Sequence, residues 1–284
     1  MQLLSLVTWL LRRRLRQSWP LLAVTSFGIL ASVTIMSTGA LYSRALGEAG
    51  LRHSISSFSP EVHNAQITAQ NRPLGRADYL TLEALVEKSS NNRLGEMLLS
   101  SERFGRTQVN LTLLTTPTTP ILGSPSGRPF YLTGFEEHST LTQGRWPVGR
   151  SLQNLADDQA IEIVLGSESS RKLSYFVGDE IFLVPRRGSS DRIPFEVVGV
   201  ANPIDADEEY WMDNPGYFDL FSVGESVVVP IYMTEDDFFQ GIGARYTTLV
   251  GDFGFFLFLD AGYLTVGNAI EVIQQIVGLE TDLN

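Results

Sequence analysis

A run of 24 residues without a formal charge, from Trp19 to Tyr42, constrains this chain more than any other feature. As an α-helix the run would be about 36 Å long, against about 30 Å for the hydrocarbon core of a bilayer. An aromatic residue stands at each end, as in helices whose ends lie at the two membrane interfaces. The run therefore predicts a transmembrane helix with Trp19 and Tyr42 at the interfaces.

Basic residues precede the run without any acidic residue among them: Arg12, Arg13, Arg14 and Arg16. Since basic residues flank membrane spans on the cytoplasmic side, they predict a cytoplasmic amino terminus and an extracytoplasmic body. A cleaved signal peptide is the main alternative, but the apolar region of such a peptide is typically about 7–15 residues long, and this run is longer. The apolar stretch from Leu3 to Leu11 predicts a short amphipathic helix on the inner membrane surface.

The rest of the chain is acidic. The whole chain of 284 residues has a formal net charge of −11, so the part that follows the arginines carries −15. An acidic body argues against nucleic acid as a partner, because phosphates need a basic surface. The chain has no cysteine, which excludes disulfides, thiol catalysis and cysteine metal sites. No glycine-rich loop ends in Lys-Ser/Thr, and the three histidines lack zinc-motif spacing, so we expect neither ATP hydrolysis nor metal catalysis.

After the run, strand and helix patterns alternate irregularly, which predicts an α+β body. Apolar stretches predict strands at Val62–Ala69, "RTQVNLTLLTT", "FYLTGF", Ile161–Leu165, "IPFEVVGV", "ESVVVPIYM" and "GFFLFLDAG". Helices are predicted within "GRADYLTLEALVEKSSNNRLGEML", from about Ser167, and after Thr234, which would cap a helix with Asp236 and Asp237 in its first turn.

Three further segments complete this interpretation. Leu51–Pro60 is expected to be a linker, and "EEHSTLTQG" is expected to form one or two helical turns that end at Gly144. The last segment, "YLTVGNAIEVIQQIVGLETDL", predicts an amphipathic helix. Its face of Ile270, Ile273, Ile276 and Val277 is expected to be buried against the strands.

The segment "DADEEYWMD", from Asp205 to Asp213, contains five acidic residues in nine positions. Clustered carboxylates suit Ca²⁺, but the calcium-loop pattern needs Gly at its sixth and Glu at its twelfth position. Counted from Asp205, those positions hold Tyr210 and Gly216. The segment is therefore expected to be a solvated acidic loop whose two aromatic residues, Tyr210 and Trp211, dock on the core or contact a partner.

Three stretches carry a resemblance to a known family: "GRWP" (Gly144–Pro147), "EIVLGSESSRKLSYFVGDEIFLVP" (Glu162–Pro185) and "FEVVGV" (Phe195–Val200). In this order, after one span, they resemble the extracytoplasmic domain of FtsX/MacB-type ABC transporter permeases. The local match is best over residues 144–200 and concerns a fold, not a chemistry. The residues expected to matter there form turns: Gly144, Gly166, Gly178 and Asp179.

The resemblance implies a division into a cytoplasmic segment (1–18), a transmembrane helix (19–43) and an extracytoplasmic α+β domain of the MacB type (44–284). Members of the family continue with three further spans, whereas this sequence stops at Asn284. It is therefore expected to be a fragment, a truncated gene product or one piece of a split permease.

The function implied is that of a non-enzymatic membrane subunit without a cofactor. The implied partners are membrane lipid, a cytoplasmic ABC ATPase subunit and a second permease subunit. A single-pass membrane-anchored binding or sensor domain, and an exported enzyme with a cleaved signal, are the alternatives from other classes.

Overall fold

A computed structural model describes residues 2–57, 64–108, 111–114, 125–149, 159–185, 191–212, 214–223 and 226–283. The chain divides into two compact units, which are described separately. The first consists of Met1–Ser57 and Thr265–Ala269, and the second of Phe58–Leu264 and Ile270–Asn284. One apolar helix at the amino terminus is followed by a large sheet-rich unit with mixed strands and helices, which confirms the α+β prediction.

The first unit is built on helix α1, which extends from Gln2 to Ser57. Among the residues that the structure describes, α1 contains the one helical stretch long and apolar enough to cross a membrane, Trp19–Ser54. Hydroxyl side chains within this stretch donate hydrogen bonds to carbonyls one turn earlier, for example Ser32 to Gly28 at 2.8 Å and Thr38 to Thr34 at 2.7 Å. Their polar groups are therefore satisfied inside the helix, as a bilayer requires.

The predicted linker at Leu51–Pro60 is wrong for residues 51–57, because α1 continues through them. Residues 58–60 lie outside the described part of the chain. Nothing in "LRHSISS" stops a helix, since this stretch contains neither proline nor glycine. The first proline after the helix is Pro60.

The second unit contains eleven strands and three further α-helices among the described residues. The strands are β1 (Ala65–Pro73), β2 (Leu98–Thr107), β3 (Leu111–Leu114), β4 (Ser126–Leu132), β5 (Ser139–Gly144), β6 (Ile161–Gly166), β7 (Glu180–Val184), β8 (Ile193–Pro203), β9 (Phe221–Val223), β10 (Ser226–Tyr232) and β11 (Val250–Leu259). The helices are α2 (Arg76–Leu94), α3 (Ser167–Leu173) and α4 (Ala269–Leu283), together with a π-helical segment at Asp237–Gly243 and short 3₁₀ turns.

The strands form one sheet in the order β1-β11-β2-β4-β3-β7-β8-β6-β10-β9, with β5 paired to β8. Strand β4 also pairs with β10, in parallel. This pairing closes β4, β3, β7, β8, β6 and β10 into a ring, whose narrowest link is the single pair Tyr232–Val164. Strand β6 is buried along its whole length because it pairs with β8 and β10 inside this ring, which explains its almost continuous apolar sequence.

Two apolar clusters make up the core. The larger one fills the ring and extends under α2 and the π-helical segment, and includes Tyr79, Phe195, Phe238 and Phe253. The smaller one is aromatic and contains Phe104, Phe130, Phe135, Trp211 and Phe218. The segment from Tyr210 to Phe218 covers the smaller cluster, so the acidic loop is part of the folded body.

The predicted orientation of the last helix is wrong. The side chains of Ile270, Ile273, Ile276 and Val277 are 46–74% exposed, whereas Val272 and Leu279 are only 5% exposed and belong to the larger core cluster. Apolar residues occur around most of the circumference of α4, so spacing alone does not select the buried stripe. At the end of α4, Asp282 accepts two hydrogen bonds from Arg93 of α2, at 2.7 and 3.0 Å.

Candidate functional site

The three stretches that carry the family resemblance meet around β8. The backbone N–H of Arg145 donates to Val198 O at 2.9 Å, and that of Gly178 donates to Val197 O at 2.8 Å. In return, Val197 N–H donates to Asp179 O at 3.0 Å. We call this region the motif junction; it consists of Gly144–Arg145, Glu162, Gly178–Asp179 and Val197–Gly199.

Two glycines of the motif junction have a positive φ, +75° at Gly144 and +95° at Gly178. A Cβ at Gly144 would collide with Val198 O, because the two chain segments approach closely there. A Cβ at Gly178 would have no atom within 4 Å, so glycine is needed there for its backbone conformation and not for space. The carboxylate of Asp179 accepts from Phe176 N–H at 2.8 Å and closes the turn that precedes β7.

Gly166 plays a different part from the other two glycines. Its φ of −69° and ψ of 147° are extended, and it is the last residue of β6 before α3. A Cβ there would collide with the backbone of Phe218, which lies directly against it. Gly166 therefore permits close approach of the segment that covers the aromatic cluster.

An ion pair between a buried carboxylate and a half-exposed arginine, which sequence reasoning missed, joins two of the three stretches. Glu162 lies on the buried strand β6, and its two carboxylate oxygens accept from the guanidinium of Arg145 at 2.6 and 2.7 Å. Val148 N–H donates to the same carboxylate at 3.0 Å. The hydrogen bonds to Glu162 raise the pKa of Arg145. An acidic residue inside the apolar stretch Ile161–Leu165 was the available signal, because a buried carboxylate needs a partner.

The acidic loop docks through its aromatic residues, as predicted. Tyr210 and Trp211 are 4% and 3% exposed. The ring of Tyr210 stacks on His138, with 3.7 Å between centroids, and His138 Nδ1 lies 2.8 Å from Glu208 Oε1. No group of three or more His, Asp or Glu side chains able to hold a metal ion occurs among the described residues, which exclude Asp213.

The residues predicted to orient the chain in a membrane all lie on α1. Trp19 and Tyr42 are 65% and 68% exposed. They are separated by about 34 Å of helix at 1.5 Å per residue. The backbone of Arg12, Arg13, Arg14 and Arg16 is helical, and their side chains lie outside the described part of the structure.

Two cavities lie beside the aromatic cluster. The first, of about 470 Å³, is lined by residues of β2, β4 and β10 and by the segment Asn214–Phe221. The second, of about 660 Å³, lies between β8, α3 and the same segment. Asn214 and Asp219 line both cavities, so the segment Asn214–Phe221 lies between the two.

The described residues thus combine a membrane-length helix with a sheet-rich body, and this body contains the motif junction and the two cavities beside the aromatic cluster. No protein-family model matches it, and no curated protein matches it. One similar solved structure is a domain of a proposed permease protein from Porphyromonas gingivalis, at 10% identity over 78% of this chain and 85% of that chain, with a TM-score of 0.34.

Proposed function

We propose that this chain is a non-catalytic membrane subunit of an ABC transporter, a permease of the FtsX/MacB type. The observation that carries the proposal is the combination of a membrane-length apolar helix with an α+β body in which the resemblance-bearing stretches form one junction. A cytoplasmic ATPase would supply the energy, and the body would move with the membrane helix on the other side.

The proposed topology follows from the charges that flank the helix. Residues 1–18 lie in the cytoplasm, 19–43 cross the cell membrane and 44–284 lie outside, because Arg12–Arg16 favour the cytoplasmic side. The partners are membrane lipid, a cytoplasmic ABC ATPase subunit and a second permease subunit, and nucleic acid is not among them. In this topology the ATPase contacts the chain through residues 1–18, since these are the residues placed in the cytoplasm.

A reporter enzyme that is active only outside the cytoplasm, fused after Asn284, tests the topology. The fusion should be active, and replacing Arg12, Arg13, Arg14 and Arg16 with Gln should reduce or abolish that activity. Replacing Arg44 and Arg52 with Gln is the matched control, because both follow the span and should leave orientation unchanged. An inactive parent fusion, or equal losses in the two variants, would refute the proposed orientation.

A second experiment separates a transporter subunit from an anchored domain. The full chain is purified from membranes that also contain its cellular ATPases. Deletion of residues 2–11 removes the apolar patch but keeps the four arginines and the span. An ABC ATPase should copurify with the full chain and be lost with the deletion variant. Copurification of no ATPase with the full chain would contradict the transporter proposal.

The cavities favour a second candidate function, a single-pass membrane-anchored binding or sensor domain. The first cavity falls in the range of about 300–1,000 Å³ that is usual for small-molecule sites, and aromatic residues form much of its wall. This candidate shares the topology but needs no ATPase, so the copurification experiment distinguishes the two.

A further inference from the structure

The first cavity has an aromatic floor formed by one face of three neighbouring strands. Phe104 of β2, Phe130 of β4 and Pro230 of β10 line it, together with Tyr217 and with Phe221 of β9. Phe104, Phe130 and Tyr217 also belong to the aromatic cluster or pack against it. The walls of the cavity are therefore part of the packed core of the body.

Two arginines share this cavity although the chain as a whole is acidic. The strand register pairs Arg106 of β2 with Phe130 of β4, so Arg128, two residues earlier on β4, is its diagonal neighbour on the same face. Arg106 Nε lies 3.5 Å from Asp252 Oδ2 on β11. Burial lowers the pKa of the Arg128 guanidinium, and the positive charge of Arg106 lowers it further. The negative charge of Asp252 acts in the opposite direction and raises the pKa of Arg128, and an anionic ligand in the cavity would add to that effect.

Both guanidinium groups lie over aromatic rings. The Cζ of Arg128 is 5.0 Å from the ring centroid of Phe221, and that of Arg106 is 5.8 Å from the ring centroid of Phe104. Stacking uses the flat face of a guanidinium, whereas its N–H donors lie in the plane and remain suited to a carboxylate. Each arginine is thus held by an apolar wall in a way that is compatible with binding an anion.

Two of the other polar side chains that line the cavity affect which ligands fit. Burial raises the pKa of Tyr217 to about 12, so its hydroxyl is neutral at physiological pH. Asp219 stands at the boundary with the second cavity, and its pKa is raised by burial and by the negative charge of Glu168. A carboxylate at this boundary repels an anionic ligand. Asp219 is therefore expected to weaken anion binding, whereas the two arginines strengthen it.

We propose that this cavity binds a small organic anion with an aromatic or apolar body and one carboxylate group. The body would contact Phe104, Phe130 and Phe221, and the carboxylate would accept hydrogen bonds from Arg106 and Arg128. The inference uses residues of the second unit alone, so it is independent of membrane orientation and of any ATPase partner.

Isothermal titration calorimetry on the full chain in nonionic detergent tests the site, with protein-free detergent as the blank. The probes are 1-naphthaleneacetate and its neutral isostere 1-naphthaleneacetamide. The acetate should bind saturably at one site per chain. The amide should bind roughly 10- to 100-fold more weakly, because it loses the charge-assisted hydrogen bonds.

Four variants locate the binding. Arg106→Gln and Arg128→Gln should each weaken acetate binding by about tenfold or more and leave amide binding unchanged. Asp219→Asn should tighten acetate binding, which a purely structural role would not produce. Arg192→Gln, an exposed arginine that does not line the cavity, should change neither.

Several results would overturn the inference. These are equal affinity for acetate and amide, absence of saturable acetate binding up to millimolar probe, and an acetate affinity that is unchanged in Arg128→Gln. Arg106→Gln leaves Asp252 without this partner, so if that variant unfolds, Arg128→Gln and Asp219→Asn decide the matter. Failure of the topology or copurification experiments would leave this site untouched.

Discussion

Replacing Leu279 with Ala should destabilise the body far more than replacing Ile273, although both residues lie on the same helix and both are large and apolar. Leu279 is 5% exposed and lies in the larger core cluster, whereas Ile273 is 60% exposed. Truncation of a buried Leu leaves a cavity and costs about 2–5 kcal/mol. Truncation of a mostly exposed side chain changes the free energy of unfolding by about 0.5 kcal/mol or less.

The loss at Leu279 is a large share of a typical domain stability of about 5–15 kcal/mol. For a body of this size it corresponds to a drop of about 4–20 °C in the thermal midpoint. Urea unfolding of the full chain in nonionic detergent measures the difference. A Trp9→Phe, Trp19→Phe background restricts the fluorescence signal to the two tryptophans of the body, Trp146 and Trp211.

Val272→Ala is a companion variant, since Val272 is buried on the same stripe. It should also destabilise the body, by less than Leu279→Ala because fewer carbon atoms are removed. Equal unfolding midpoints for Leu279→Ala and Ile273→Ala would refute the observed orientation of α4. A larger loss for Ile273→Ala would restore the orientation predicted from the sequence pattern.

Two further predictions concern the motif junction and Tyr217. Gly178→Ala should cost about 1–3 kcal/mol through its positive φ alone. Gly144→Ala should cost more, because the added Cβ also collides with Val198 O; a smaller loss at Gly144 in urea unfolding would contradict this. Burial raises the pKa of Tyr217 to about 12, so the folded chain keeps a proton that the unfolded chain releases above about pH 10. The free energy of unfolding should therefore be unaffected by this group below about pH 10 and should fall between about pH 10 and 12. Tyr217→Phe should make this fall shallower. An identical fall in the variant would refute the assignment of the fall to Tyr217.

Several strands were predictable because burial on both faces gives a continuous apolar run. Residues Ile161–Leu165, "IPFEVVGV" and "GFFLFLDAG" correspond to β6, β8 and β11, which lie inside the sheet. "RTQVNLTLLTT" was read as one strand, but it covers the end of β2 and the whole of β3, with residues 109–110 outside the described part. The rest of β2, from Leu98 to Gly105, was not predicted, because the sequence "LLSSERFG" is polar where pairing with β11 and β4 does not require apolar side chains.

Strand β5 shows how pairing overrides local pattern. "EEHSTLTQG" was expected to be helical, and this prediction is wrong: after turns up to His138, Ser139–Gly144 is a strand that pairs with β8. The helix expected after Thr234 begins where predicted, with Asp237 N–H donating to Thr234 Oγ1 at 3.1 Å. It then continues as a π-helical segment, in which Phe238 and Phe239 are buried in the larger core cluster.

The sequence by itself determined the features that depend on neighbours along the chain. The uncharged run and the arginines before it define a membrane-length helix with a charge asymmetry. The positive φ values at Gly144 and Gly178 occur at glycine, the one residue type for which such φ values carry no steric cost. The tertiary structure alone decided which face of α4 is buried, which guanidinium meets Glu162, and that Arg106 and Arg128 share one cavity. These features depend on strand register and helix rotation, which bring together residues distant in sequence, and a local pattern carries no information about either.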